Sequence, residues 1–146
     1  MENTKQIDDN LSVAMGQPTT EQLQQAAKEG FKSVLNLRSP QEEGFANDEQ
    51  QQAEAAGLKH VNLPVKLDGM SDELTDRVLQ EIDRLPKPAL IYCKSGMRSG
   101  AMTLMSVATK RGMTANEAIA LSKQNGFDYD SNPQMKQFFE HYILEH

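Results

Sequence analysis

The chain has 146 residues and a net charge of −6. This length suits one domain with a core of its own, and the acidic balance argues against nucleic acid or an anionic membrane surface as a partner. The single cysteine cannot form an internal disulfide, and the three histidines are scattered without metal-ligand spacing, so we expect no disulfide framework and no metal site.

The N-terminal segment MENTKQIDDN is polar and acidic and lacks the apolar core of a signal peptide. No stretch approaches the roughly 18 consecutive apolar residues of a membrane span. We therefore expect a cytoplasmic protein, or a periplasmic one if a signal peptide has been removed. We also expect residues 1–146 to form a single domain whose first ten residues are loosely held.

The N-terminal half predicts alternating strands and helices. A short strand begins in LSVAMGQP, and Thr19 with a glutamine three residues later forms a capping box for a helix that ends at Gly30. Apolar and polar residues alternate in Phe31–Arg38 and again in Leu58–Val65, as is typical of strands. Between these two strands we expect a short helix that stops at Gly57.

The C-terminal half predicts a helix, a buried strand and three further helices. Ser71 caps a helix whose apolar residues recur at helical spacing as far as Leu85. The stretch ALIYC, Ala89–Cys93, is a short continuous apolar run typical of a central strand that is buried on both faces. Three helices follow, from about Arg98 to Lys110, from Thr114 to Lys123, and from Pro133 onward.

Strands that alternate with helices favour an α/β fold. The order predicts a mostly parallel sheet of four to five strands with helices on both faces. In such sheets ligands bind beyond the carboxyl ends of the strands. Cys93 ends the apolar strand, so we expect the functional site at this edge of the sheet.

The residues after Cys93 predict an anion-binding loop. The sequence KSGM leads into a helix, so unpaired backbone N–H groups and the positive end of the helix dipole are expected beside the thiol. Gly96 permits a tight turn, and the planar guanidinium of Arg98 fits a tetrahedral oxyanion. These groups also favour the thiolate form of Cys93, which makes covalent catalysis possible. The predicted anion-binding residues are Lys94, Ser95, Gly96, Met97 and Arg98.

The strand–cysteine–loop–arginine–helix pattern resembles the signatures of cysteine phosphatases and rhodaneses. More narrowly, NLSVAMGQPTTEQLQQAAKEGFKSVLNLRSPQEE together with PALIYCKSGMRSG is similar to a bacterial family, the phosphatase-like domain named after beta-lactamase-hydrolase-like proteins. The resemblance extends from about Ile7 to Asp130. It implies a dual-specificity-phosphatase-like fold, and some members of the family are labelled sulfur transferases.

The resemblance implies roles for several side chains. Cys93 matches the nucleophile, Arg98 the oxyanion binder and Ser99 the hydroxyl that follows the arginine. The implied reaction is hydrolysis of a phosphate monoester through a phosphocysteine, without a cofactor, on a small anionic or phosphorylated substrate. Phosphate or sulfate would then occupy the loop. A phosphatase also needs a general acid, for which Asp68 in KLDGMSDE is the first candidate and Asp72 the second.

Two further side chains are expected near this edge of the sheet. Arg38 ends the strand SVLNLR, where it would contact substrate or pair with Glu42 or Glu43 to hold the loop. The family motif GQP places Gln17 early in the chain and near the site. His60 lies in mid-strand, and we expect it to be a packed or surface residue and not a catalyst.

Two departures from the phosphatase pattern favour a different activity. Four residues separate Cys93 from Arg98 where cysteine phosphatases typically have five, and Tyr92 stands where a histidine is usual. Both departures resemble single-domain rhodaneses. If this chain acts as they do, Cys93 would carry a persulfide, and Arg98 and Lys94 would bind an anionic donor such as thiosulfate. A third hypothesis is a non-catalytic module that binds phosphate or senses oxidants.

Overall fold

The computed structural model describes residues 4–16, 18–39, 41, 48–66, 71–94, 96–130 and 132–145. Within them, one five-stranded sheet has the strand order β1-β2-β5-β3-β4. The strands are β1 (Thr4–Gln6), β2 (Leu11–Ala14), β3 (Ser33–Asn36), β4 (Lys59–Asn62) and β5 (Ala89–Tyr92). β2, β5, β3 and β4 run parallel, whereas β1 pairs antiparallel with β2. The predicted mostly parallel sheet is confirmed.

Helices connect the parallel strands and follow the last one. They are α1 (Thr20–Lys28), α2 (Glu49–Ala55), α3 (Asp72–Arg84), α4 (Met97–Arg111), α5 (Ala115–Gln124) and α6 (Pro133–Glu145). Both predicted capping boxes are present, because Thr19 and Gln22 exchange hydrogen bonds at the start of α1, and Thr114 and Glu117 do so at the start of α5. None of the helices in the described part of the chain is long and apolar enough to cross a membrane.

The side chains of β5 alternate between two separate cores. Ile91 and Cys93 belong to the larger core, which α3, α4, α5 and α6 cover. Leu90 and Tyr92 belong to a smaller core on the other face, formed with α1 and α2. Successive strand residues point to opposite faces, so the fully buried β5 needs apolar side chains at every position. This explains the continuous apolar run in the sequence.

The expectation of a loose N-terminal segment is wrong for Thr4–Gln6, which form β1. Thr4 lies opposite Ala14 in the antiparallel pair. The chain turns between the two strands because the Asp8 carboxylate accepts hydrogen bonds from the backbone N–H groups of Asn10 and Leu11, at 2.8 and 2.9 Å. β1 is short and mostly exposed, so backbone pairing holds it and its side chains carry no apolar signal.

The first turns of α4 pack against the segment that follows α5. Gly100, in α4, lies so close to Phe127 that a Cβ atom at this glycine would stand 2.7 Å from both Cδ1 and Cε1 of the ring. Phe127 is itself buried, at 2% exposure. This contact brings the residues around Phe127 against the helix that begins beside Cys93.

We expect the substitution Gly100→Ala to destabilise the protein. Alanine in place of glycine normally stabilises a helix by about 1 kcal/mol. Here the added methyl group meets a buried ring, and overpacking of this kind costs about 1–3 kcal/mol. Urea denaturation followed by circular dichroism measures the change. A rise in the free energy of unfolding would show that Phe127 moves aside without cost.

Candidate active site

Cys93 lies directly after β5 and its side chain is fully buried. Its Sγ atom accepts hydrogen bonds from the backbone N–H groups of Gly96, at 3.1 Å, and Ser99, at 3.4 Å. The Ser99 hydroxyl lies 3.3 Å from the same sulfur. Three polar groups of one short turn and the start of α4 therefore converge on the thiol. Cys93 thus faces the N-terminus of a helix, as the sequence predicts.

The turn after Cys93 depends on Gly96, which has a left-handed backbone with φ of 92°. The segment after β2 lies against this turn, because a Cβ atom at Gly96 would stand 2.8 Å from Sδ of Met15. A Cβ atom at Gly16 would lie 3.7 Å from the carbonyl oxygen of Lys94. The end of β2 thus packs closely against the loop that holds the sulfur.

Arg98 lies in the first turn of α4 and is only 9% exposed. Its Nη1 atom donates a hydrogen bond of 2.7 Å to the carbonyl oxygen of Val65. The backbone N–H of Val65 in turn donates to the carbonyl oxygen of Leu37, at 2.9 Å. The bond to Val65 uses one of the five N–H donors of the guanidinium and fixes the direction of the side chain. The sheet edge therefore orients Arg98.

Polar side chains join the ends of β3 and β4 at the same edge. The side-chain amide of Asn62 donates to the carbonyl oxygens of Asn36, at 2.9 Å, and Arg38, at 2.8 Å. The backbone N–H of Arg38 donates to Oδ1 of Asn36, at 2.9 Å. Arg38 is buried, at 2% exposure. The candidates for pairing with it, Glu42 and Glu43, lie outside the described residues.

His60 is packed inside the protein, as expected from its place in mid-strand. Its Nε2 atom lies 3.0 Å from Oε1 of Glu49, and both side chains are nearly fully buried. The pair joins β4 to α2. Sequence reasoning did not single out Glu49, because a glutamate in a polar stretch gives no sign that it will be buried.

The remaining predicted site residues differ in their positions. Lys94 is exposed, whereas Met97 is half-buried and packs against the larger core. Within the described part of the chain, neither residue forms a hydrogen bond with the Cys93 sulfur. Three other predicted site residues lie outside the described residues: Gln17, Asp68 and Ser95.

Asp72, the second candidate for a general acid, is the first residue of α3. Its carboxylate lies near two residues of α6, because ligand atoms of Asp72, His141 and Glu145 all fall within 4.8 Å of one another. The side chains of His141 and Glu145 are more than half exposed, and Nε2 of His141 lies 3.5 Å from Oε1 of Glu145. The linear spacing of the histidines does not reveal this group, because two different helices form it.

Tyr129 is a buried polar residue of the larger core that sequence reasoning missed. It belongs to the same core as Cys93 and is 2% exposed. Burial raises the pKa of its phenol, and the negative charge of Cys93 raises it further. Tyr129 therefore remains protonated at neutral pH. No sequence motif marks this position as buried.

Comparison with known families agrees with the resemblance seen in the sequence. Residues 3–110 match the family described as "Beta-lactamase hydrolase-like protein, phosphatase-like domain". A beta-lactamase hydrolase-like protein from Xylella fastidiosa is 32% identical over 129 residues, which cover 84% of this chain and 29% of that protein. The chain thus spans less than a third of the length of this relative.

Solved structures share the fold at low sequence identity. An inferred phosphatase from Neisseria meningitidis Z2491 has a TM-score of 0.78 and 22% identity, with coverage of 94% of this chain and 96% of that one. TpbA from P. aeruginosa, in complex with pTyr, has a TM-score of 0.72 and 16% identity, with coverage of 99% and 91%. These similarities confirm the predicted cysteine-phosphatase-like fold.

We expect Gly96→Ala to destabilise the protein more than Gly112→Ala does. Both glycines have a left-handed backbone, with φ of 92° and 65°, which costs other residues about 1–2 kcal/mol. A Cβ atom at Gly112 meets nothing within 4 Å, whereas at Gly96 it meets Met15. Urea denaturation of the two variants separates the collision from the strain. Equal losses would mean that Met15 does not constrain the turn.

Proposed function

The chain belongs to the phosphatase-like domain family of beta-lactamase hydrolase-like proteins, and from this premise we propose that it hydrolyses phosphate monoesters with Cys93 as the nucleophile. One observation carries the proposal: the N–H groups of Gly96 and Ser99 converge on the Cys93 sulfur at the N-terminus of α4. The substrate class that we infer is a small phosphorylated molecule. An aryl phosphate such as pTyr, which TpbA binds, is the first to test.

In the first step the Cys93 thiolate attacks phosphorus. An S–P bond forms while the P–O bond to the leaving group breaks. Backbone N–H groups of the turn and the Arg98 guanidinium would stabilise the charge on the equatorial oxygens, usually the largest catalytic contribution. The departing oxygen takes a proton from a carboxylic acid. Asp68 is our candidate because it follows the strand that precedes α3 in the sequence, and Asp72 is the second.

In the second step water hydrolyses the phosphocysteine. Water attacks phosphorus, the S–P bond breaks, and inorganic phosphate leaves. The same carboxylate that gave up its proton takes one from the attacking water. Sulfur departs as a thiolate, to which the Ser99 hydroxyl, 3.3 Å away, can donate a hydrogen bond. Both steps use groups of the chain and water, and they need no metal or organic cofactor.

Sulfur transfer is the second candidate, favoured by the four residues between Cys93 and Arg98. The Cys93 thiolate would attack the outer sulfur of thiosulfate, forming an S–S bond as sulfite leaves. Cyanide would then take the outer sulfur of the persulfide as thiocyanate and restore the thiolate. Sulfite is a stable anion and needs no proton to depart, so Asp68 would be dispensable. A non-catalytic anion-binding module is the third candidate.

We expect phosphate release from an aryl phosphate by the wild-type protein and none by Cys93→Ser. Arg98→Lys should lower kcat/KM by about 10²–10³-fold, because lysine lacks the planar guanidinium group with its paired N–H donors. Arg111→Lys is a matched control at the other end of α4, where the arginine is 54% exposed and pairs with Asp8. We expect it to change kcat/KM less than about twofold. Asp68→Asn should reduce phosphate release as well.

The same preparations are assayed for thiocyanate from thiosulfate and cyanide. Cys93-dependent thiocyanate without phosphate release contradicts the phosphatase proposal and supports sulfur transfer. Absence of both activities, with phosphate binding that survives in Cys93→Ser, supports the non-catalytic module.

A further inference from the structure

The pairing between β3 and the chain after β4 shifts by one residue beside the site. The N–H of Leu63 donates to the carbonyl oxygen of Asn36, at 2.9 Å, and the N–H of Val65 donates to that of Leu37, at 2.9 Å. In regular parallel pairing both strands advance equally between such bonds. Here the chain after β4 advances by two residues while the β3 side advances by one. Pro64 is the extra residue, and it has no N–H with which to pair.

The Asn62 side chain occupies the place that the shift changes. In regular pairing the Val65 N–H would reach the carbonyl oxygen of Arg38. That oxygen instead accepts a hydrogen bond of 2.8 Å from the Asn62 amide, whose other bond, of 2.9 Å, goes to the carbonyl oxygen of Asn36. The last residue of β4 therefore holds two carbonyl groups at the end of β3. Such a shift is a β-bulge, a feature that often redirects groups next to an active site.

The shifted segment carries the hydrogen-bond acceptor of Arg98. Val65 is fully buried, and its carbonyl oxygen accepts the bond of 2.7 Å from Nη1 of Arg98. The N–H of the same residue makes the shifted bond to Leu37, so the direction of the carbonyl follows from the shift. Loss of the Asn62 amide would favour the regular bond from Val65 to Arg38, which turns the Val65 carbonyl away from the guanidinium.

We propose that Asn62 is a positioning residue for Arg98, because its amide fixes the shift that aims the Val65 carbonyl at the guanidinium. Asn62 acts through Arg98 and not on the substrate. A guanidinium whose direction is set in advance stabilises an anion without having to reorganise. This inference rests on the proposed role of Arg98 as the oxyanion binder. It applies to phosphate and to thiosulfate alike, because both are tetrahedral anions.

The test is a double-mutant cycle on the binding of inorganic phosphate to the full chain, followed by phosphorus NMR. Asn62→Leu keeps the size of the side chain and removes its N–H donors. We expect about tenfold weaker phosphate binding, because Arg98 is no longer directed at the anion. In the Arg98→Lys background the same change should weaken binding less than about twofold, since an ammonium acts as a point charge. Asn62→Ser, which is too short to reach both carbonyl groups, provides the same comparison if Asn62→Leu does not fold.

Asn125→Leu is the matched control. The Asn125 amide also donates to a backbone carbonyl, that of Leu121, at 2.9 Å, and it does so at the end of α5. Both asparagines are half-buried. The control should change phosphate affinity less than about twofold with either residue at position 98. With an aryl phosphate as substrate, Asn62→Leu should lower kcat more than it raises KM, because Arg98 acts on charge that develops in the transition state.

The outcomes separate a positioning role from a structural one. Equal effects of Asn62→Leu with arginine and with lysine at position 98 overturn the proposal, as do equal effects of Asn62→Leu and Asn125→Leu. Absence of phosphate binding by the wild type overturns it as well. Coupling between positions 62 and 98 in phosphate binding supports it even if the wild type releases no phosphate, in which case only the proposed phosphatase function fails.

Discussion

The hydrogen bonds from Gly96 and Ser99 to the Cys93 sulfur are the interaction on which the site depends. A cysteine at the end of a buried strand is usually a small apolar side chain. Here the chain turns immediately and begins a helix, so donors that would otherwise lack partners point at the thiol. The turn requires the left-handed backbone of Gly96. The central place of β5 then brings the ends of β2 and β3 to either side of it.

The arginine of the site is fixed by the sheet and not only by its own helix. Arg98 donates to Val65, whose backbone N–H reaches Leu37 at the end of β3. Asn62 joins the same two chain segments through the carbonyl oxygens of Asn36 and Arg38. Charge on a guanidinium helps catalysis most when its direction is set before substrate arrives. The polar ends of β3 and β4 therefore act as a rigid support for Arg98.

Local features of this protein were predictable from sequence, and long-range ones were not. Capping boxes depend on residues three apart, so those at Thr19 and Thr114 could be read directly. The apolar run before Cys93 marked the central strand for a similar reason. β1 escaped prediction because it is short and its side chains carry no apolar pattern. Val65 contacts Arg98 from 33 residues away along the chain, and nothing in its local sequence indicates this contact.

The shared chemistry of the candidate reactions explains why one fold suits both. A thiolate attacks in each, and donors around the sulfur stabilise it in each before attack and after departure. The reactions differ at the leaving group: an alkoxide or phenoxide needs a proton, whereas sulfite does not. In either proposed reaction, the turn and Arg98 would therefore determine how reactive Cys93 is. A carboxylic acid outside the turn would determine which bond that reactivity can break, so the sulfur environment alone does not distinguish a phosphatase from a sulfurtransferase.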